Sequence, residues 1–188
     1  IENLEIELSN YLMNSIRVGK TNKSLDKVLL EIFLQGIKSV QPKTILGNFI
    51  FIKNNHVIVK DKSKTFTYKK INKVFIICLG KASTDMAITA KKILSKSKLK
   101  VSKGIVIVNK ENFKKIPGFD CFFSGHPIPD KNGLKASKFV KEFLKKTEKN
   151  DLILIFISGG GSALFPLPVE GVSLNEKIKI NELLIKSG

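Results

Sequence analysis

The stretch Val74–Leu94, "VFIICLGKASTDMAITAKKIL", decides the fold. It opens on an unbroken apolar run, Val74 to Leu79. A strand buried on both faces reads this way, whereas a strand with one wet face alternates. After Gly80 the period changes. Ala82, Met86, Ala87, Ala90, Ile93 and Leu94 recur at helical spacing and mark one face of a helix. A buried strand that turns into an amphipathic helix is the opening of a βαβ unit.

The same alternation continues downstream. "GIVIV" (Gly104–Val108) reads as a second buried strand, "DCFFSG" (Asp120–Gly125) as a third strand, and "LILIFI" (Leu152–Ile157) as the next, a buried strand beginning at Asp151. Ala136, Phe139, Val140, Phe143 and Leu144 trace a helix started by Asp130 or Asn132. Ser173 and Glu176 form a capping box that opens a last helix reaching about Lys186. These elements predict a layered α/β/α, Rossmann-like domain with a mostly parallel sheet over residues 71–188.

Residues 1–70 read differently. Leu4, Leu8, Tyr11, Leu12 and Ser15 fall on one helix face, and Leu25, Val28, Leu29, Ile32 and Phe33 on another. "GKTNKS" joins the two helices, and Pro42 is expected to close the section. "FIFIKNNHVIVK" (Phe49–Lys60) predicts a small β-hairpin turning at Asn54–Asn55, and "KTFTYKK" a further short strand.

Composition narrows the function classes. The 188-residue chain carries a net charge of +17, yet Arg17 is its only arginine. Nucleic-acid sites lean on arginine forks and stacking aromatics, so scattered lysines predict solvated helix faces and no nucleic-acid partner. A positive field also favours anionic substrates. No apolar run reaches the length of a membrane helix, and "IENLEIELSN" is not a secretory signal. Cys78 and Cys121 lie in apolar segments without metal-site spacing, as reduced thiols in a cytoplasmic protein would. No metal ligand is assigned. The sequence starts at Ile1 and ends at Gly188 in a helical pattern, which reads as a piece of a longer chain.

Ligands of open α/β sheets bind beyond the carboxyl ends of the strands. Three loops there are unusual. "LGKAS" places Gly80, Lys81 and Ser83 at a helix start, where backbone amides favour an anion. Lys81 stands against the helix dipole, either to meet a phosphate or carboxylate or as an outward surface lysine. "SGHPIPD" holds His126 and Asp130 in a loop stiffened by two prolines. His126 could bind substrate or brace the loop, and Asp130 could bind substrate or cap the helix. "SGGGS", Ser158 to Ser162, either forms an anion nest from Gly159, Gly160 and Gly161 or is a flexible turn. It is neither a Walker A loop nor a dinucleotide fingerprint, because no Gly-Lys-Ser/Thr and no G-x-G-x-x-G is present.

Together, "GKASTDMA" (Gly80–Ala87), "HPIPD" (His126–Asp130), "SGGGSAL" (Ser158–Leu164) and "GVSL" (Gly171–Leu174) resemble the glycerate 2-kinase family, in the same order and spacing from about Leu25 to Gly188. The resemblance implies transfer of the ATP γ-phosphoryl to a hydroxyl of D-glycerate with Mg2+, 2-phosphoglycerate being the favoured product. It implies a catalytic Lys81. It implies binding of glycerate or nucleotide by Gly80, Ser83, His126, Asp130, Ser158, Gly159, Gly160, Gly161 and Ser162. It also implies a following Asn-x-x-Arg segment and a C-terminal MOFRL domain, neither of which lies in these residues, so the isolated chain is expected to be inactive. The alternative is a non-catalytic α/β module that binds a nucleotide or sugar phosphate. Oligomeric state stays open.

Overall fold

A computed structural model of the chain describes residues 23–99 and 101–187. The first expected helix, Leu4 to Ser15, lies outside the described residues. The chain divides into two compact units between Ile45 and Leu46.

In the first unit, helix α1 (Lys23–Val40) carries the expected apolar stripe. Leu25, Val28, Leu29, Ile32 and Phe33 are all exposed on it. Pro42 does not close the helical section. It opens a second helix, α2 (Pro42–Phe49). Proline suits a first helical position, where the amide it lacks would have no intrahelical acceptor.

The second unit begins within α2, at Leu46, and continues into a three-stranded antiparallel sheet. Its strands are β1 (Ile50–Lys53), β2 (His56–Lys60) and β3 (Thr65–Tyr68), in that order. Asn54 and Asn55 turn the hairpin with φ of 50° and 58°. A two-residue turn that matches strand twist requires left-handed backbone at both positions, and asparagine tolerates it.

The parallel sheet holds β4 (Val74–Leu79), β5 (Val101–Asn109), β6 (Phe119–Ser124) and β7 (Leu152–Ile157) in the order β6-β5-β4-β7. Helix α3 (Ser83–Leu94) and helix α4 (Lys131–Leu144) cover opposite faces. Val74, Ile76 and Cys78 face Met86, Ala87, Ala90 and Leu94 of α3, in a core that Leu46, Ile50 and Val57 also join. Ile77 and Leu79 face Ala136 and Val140 of α4. The alternation along β4 is thus hidden in the sequence, because both of its faces are covered. All six of its residues are buried. Helix α6 (Leu174–Ser187) starts at the expected capping box. There the Ser173 amide donates to the Glu176 carboxylate at 2.7 Å and the Glu176 amide to Ser173 Oγ at 3.2 Å. Among the described residues no helix is long and apolar enough to cross a membrane.

One strand differs from its reading. β7 was expected to be buried, yet Ile155 and Ile157 are 51% and 70% exposed. Among the described residues β7 is an edge strand paired only with β4, and α4 packs over β5 and β6. The carboxyl half of that face is therefore uncovered.

Ile76, fully buried between β5 and β7, should lose about 2–5 kcal/mol on truncation to alanine. Ile157→Ala, at the exposed end of β7, should stay within about 0.5 kcal/mol. Denaturant melts of the two variants check this, and equal losses would contradict the edge position of β7.

Candidate functional site

Because all four strands of the main sheet are parallel, their carboxyl ends share one edge. The chain runs from β4 to β5 to β6 in one direction, then crosses to β7 on the other side of β4. The loops leaving β4 and β7 lead to helices on opposite faces of the sheet, and ligands of open α/β sheets bind at such a switch point. The two loops at this point are Gly80–Ala82 and Ser158–Gly160.

These loops clasp one another. The Lys81 amide donates to the Gly159 carbonyl at 2.9 Å, the Ala82 amide to Ser158 Oγ at 3.0 Å, and the Ser158 amide to the Leu79 carbonyl at 2.9 Å. Gly80 has φ of +116°, and a Cβ there would strike the side chain and carbonyl of Ser158. Glycine is required at position 80 on both counts. The amides expected to receive an anion at the start of α3 are therefore engaged within the protein, as is the Ser158 hydroxyl.

The unengaged amides lie on the facing loop. Gly160, at φ +87°, caps a single helical turn, α5 (Gly161–Leu164), which the sequence reading did not anticipate. Ala163 and Leu164 donate back to the Gly160 carbonyl at 3.2 and 3.0 Å. The amides of Gly159, Gly160, Gly161 and Ser162 have no acceptor among the described residues. Consecutive amides of this kind make an anion-binding concavity. A Cβ on Gly160 would come within 2.9 Å of the His126 ring, whereas one on Gly159 meets open space. The loop after β6 thus reaches the loop after β7 through His126.

Asp130 is the N-cap of α4. Its Oδ1 accepts from the Gly133 amide at 2.8 Å and from Ser124 Oγ at 3.4 Å. Ser83 is buried in the first turn of α3, and its hydroxyl has no hydrogen-bond partner among the described residues. Lys81 and Ser162 are exposed. Gly80, Lys81, Ser158 and Gly159 therefore come together directly, as do Gly160 and His126. Asp130 and Ser83 sit in the first turns of the adjoining helices.

The carboxyl end of β5 was missed by the sequence reading. β5 runs into a short 3-10 turn, Lys110–Asn112, on the same edge of the sheet. Asn112 Nδ2 donates to the Lys81 carbonyl and to Asn109 Oδ1, both at 3.1 Å. Thr84 Oγ1 donates to the Asn112 carbonyl at 2.8 Å. Asn109 Nδ2 donates to the Glu111 carboxylate. The Glu111 carboxyl is held below its ordinary range, first by its own backbone amide, then by Asn109, with smaller help from Lys110 and His126. The signal was the abrupt change from "GIVIV" to the polar "NKEN" at a strand's carboxyl end. Neither thiol is a candidate nucleophile, since burial pushes Cys78 and Cys121 upward. No cluster of three or more metal-ligating side chains occurs among the described residues.

Sheet order and loop placement define a doubly wound α/β domain whose loops after β4 and β7 meet at the switch point of the sheet. Residues 28–188 match the family described as a domain of unknown function, DUF4147, and the chain belongs to that family. It is 35% identical over 169 residues to D-glycerate 2-kinase of Thermotoga maritima, covering 88% of this chain and 36% of the relative. It is 35% identical over 154 residues to glycerate 2-kinase of Pyrococcus horikoshii, covering 82% and 33%. The chain thus spans about a third of the length of these relatives. A solved Pyrococcus horikoshii OT3 structure superposes with a TM-score of 0.72 at 34% identity over 87% of this chain and 36% of that one. A Thermotoga maritima structure described as glycerate kinase gives 0.68 at 33% identity over 89% and 36%.

Gly160→Val should cost about 1–3 kcal/mol, because valine resists the left-handed backbone and collides with His126. Gly159→Ala should stay within about 0.5 kcal/mol. Thermal melts decide, and equal stability of the two variants would contradict the described loop.

Proposed function

We propose that this chain carries the phosphate-binding crevice of a glycerate kinase, which transfers the γ-phosphoryl of ATP to a hydroxyl of D-glycerate, with 2-phosphoglycerate as the favoured product. The observation that carries the reading is the row of unpartnered amides from Gly159 to Ser162 beside the clasped Lys81 loop, at the switch point of the sheet. The names of the relatives in Thermotoga maritima and Pyrococcus horikoshii support the same substrate.

In this reading the Gly159–Ser162 amides receive phosphoryl oxygens, and the Lys81 ammonium neutralises charge that develops on the transferring group. Phosphoryl transfer asks mainly for such positioning and charge neutralisation. His126 and the Ser162 hydroxyl orient the ligand from the two flanking loops. Gly80 and Ser158 shape the crevice, Asp130 fixes the start of α4, and Ser83 lies beneath the Lys81 loop. Mg2+ would travel with the nucleotide. The described residues gather no ligand set for it, and no step is routed through it. A cytoplasmic setting accords with ATP as donor and with two free thiols. The remaining cleft residues, and a MOFRL domain, would come from chain outside these 188 residues, which by themselves would not turn over ATP.

The test uses protein expressed from the complete gene, with ADP release coupled to D-glycerate. Lys81→Met should lower kcat/KM by on the order of 10²–10³. Its melting temperature should barely move, since an exposed side chain is removed. Absence of glycerate-dependent turnover in the wild type, or near-normal kcat/KM in Lys81→Met, would overturn the assignment.

A further inference from the structure

We infer that Asn112 is a positioning residue for Lys81, an inference that rests on the catalytic reading of Lys81 proposed above. The backbone around Lys81 is held from two sides of the sheet edge. On the β7 side, the Gly159 carbonyl takes the Lys81 amide at 2.9 Å and Ser158 Oγ takes the Ala82 amide at 3.0 Å. On the β5 side, Asn112 Nδ2 donates to the Lys81 carbonyl at 3.1 Å. No other side chain among the described residues touches that carbonyl with a hydrogen bond. Asn112 can act as a brace because it is itself fixed. Its second Nδ2 bond goes to Asn109 Oδ1 at 3.1 Å, and Asn109 is buried at the end of β5. Its own carbonyl is held by Thr84 Oγ1 at 2.8 Å, from the first turn of the helix that Lys81 precedes.

The chemistry of the amide matters at this position. Its NH2 group supplies two donors, one for each carbonyl-type oxygen, and no other short side chain does so without charge. A lysine ammonium on a four-carbon stem is loosely held by nature. Fixing the peptide planes on either side of its Cα restricts the space its head can sample. The polar run Asn109–Asn112 thus transmits the position of β5 to the Lys81 loop, and Asn112 touches no reacting atom in this role.

The experiment uses protein from the complete gene in four forms besides wild type: Lys81→Met, Asn112→Ala, Asn112→Asp and the Lys81→Met/Asn112→Ala double variant. Asn112 is exposed and its backbone bond to Thr84 survives substitution, so the variants should fold. The isosteric Asn112→Asp carries the test should the alanine variant melt early. Displacement of a catalytic group by a fraction of an ångström costs on the order of 10–10² in rate. Asn112→Ala and Asn112→Asp should lower kcat by that factor, with KM for ATP and for glycerate changed less than about threefold. In the Lys81→Met background, Asn112→Ala should cost no more than about twofold, because the group it positions is gone. Wild-type kcat in both Asn112 variants, or losses that multiply in the double variant, would overturn the inference while leaving the Lys81 reading intact. A Lys81→Met variant with normal kcat would instead overturn that reading and the inference with it.

Discussion

The hydrogen bond from the Lys81 amide to the Gly159 carbonyl joins two loops that are 78 positions apart in sequence and belong to opposite halves of the sheet. It forms only because β4 and β7 are neighbours with Leu79 opposite Ile157, so that both strands end at the same level. It also needs Gly80 to lack a side chain, since a Cβ would occupy the place of Ser158. Sheet order, register and one glycine thus converge on a single contact, and the two loops take their shape from that contact.

The clasp occupies the amides that precede α3. The start of a twelve-residue helix such as α3 would ordinarily attract an anion. Here Ser158 Oγ and the Gly159 carbonyl serve the amides that precede it. For an exposed lysine such as Lys81 the opposition of the α3 dipole is about 0.3–1 kcal/mol. The unpartnered donors are instead the amides of the loop after β7.

The sequence made the layered architecture legible because buried strands and amphipathic helices differ in period, as in Val74–Leu94. It made three of the four strand-end loops legible because glycine and proline mark backbone that ordinary residues cannot adopt. What stayed hidden depends on neighbours. β7 reads as a buried strand, but whether Ile155 and Ile157 are covered is set by what lies beside the strand. The turn at α5 is a single helical turn inside a glycine run, too short for any period to register. Pro42 signals a break equally well whether a helix ends before it or begins at it. Asn112 was missed because a polar residue after a strand looks like solvent-facing loop until its partners, Lys81 and Asn109, are brought to it by the fold.

The charge of +17 acts on a different scale from these loops. Among the described residues only three lysine–carboxylate ion pairs form, the exposed Lys73–Glu148 and Lys145–Glu142 and the half-buried Lys103–Asp120. Several lysines lie over aromatic rings, with Lys60, Lys91 and Lys103 over Phe51, Phe119 and Phe139. Most of the positive charge is therefore uncompensated. It is also diffuse, and at physiological salt it is screened beyond about 8 Å. Such a field raises the local concentration of any anion without choosing among them. Choice requires donors fixed in direction, and fixed direction requires that their own backbone be held by other parts of the chain. The amides of the Ser158–Ser162 loop, which is held to the Gly80–Ala82 loop, meet that condition and the scattered lysines do not, so the proposed function assigns discrimination between anions to that loop and only their capture to the surface.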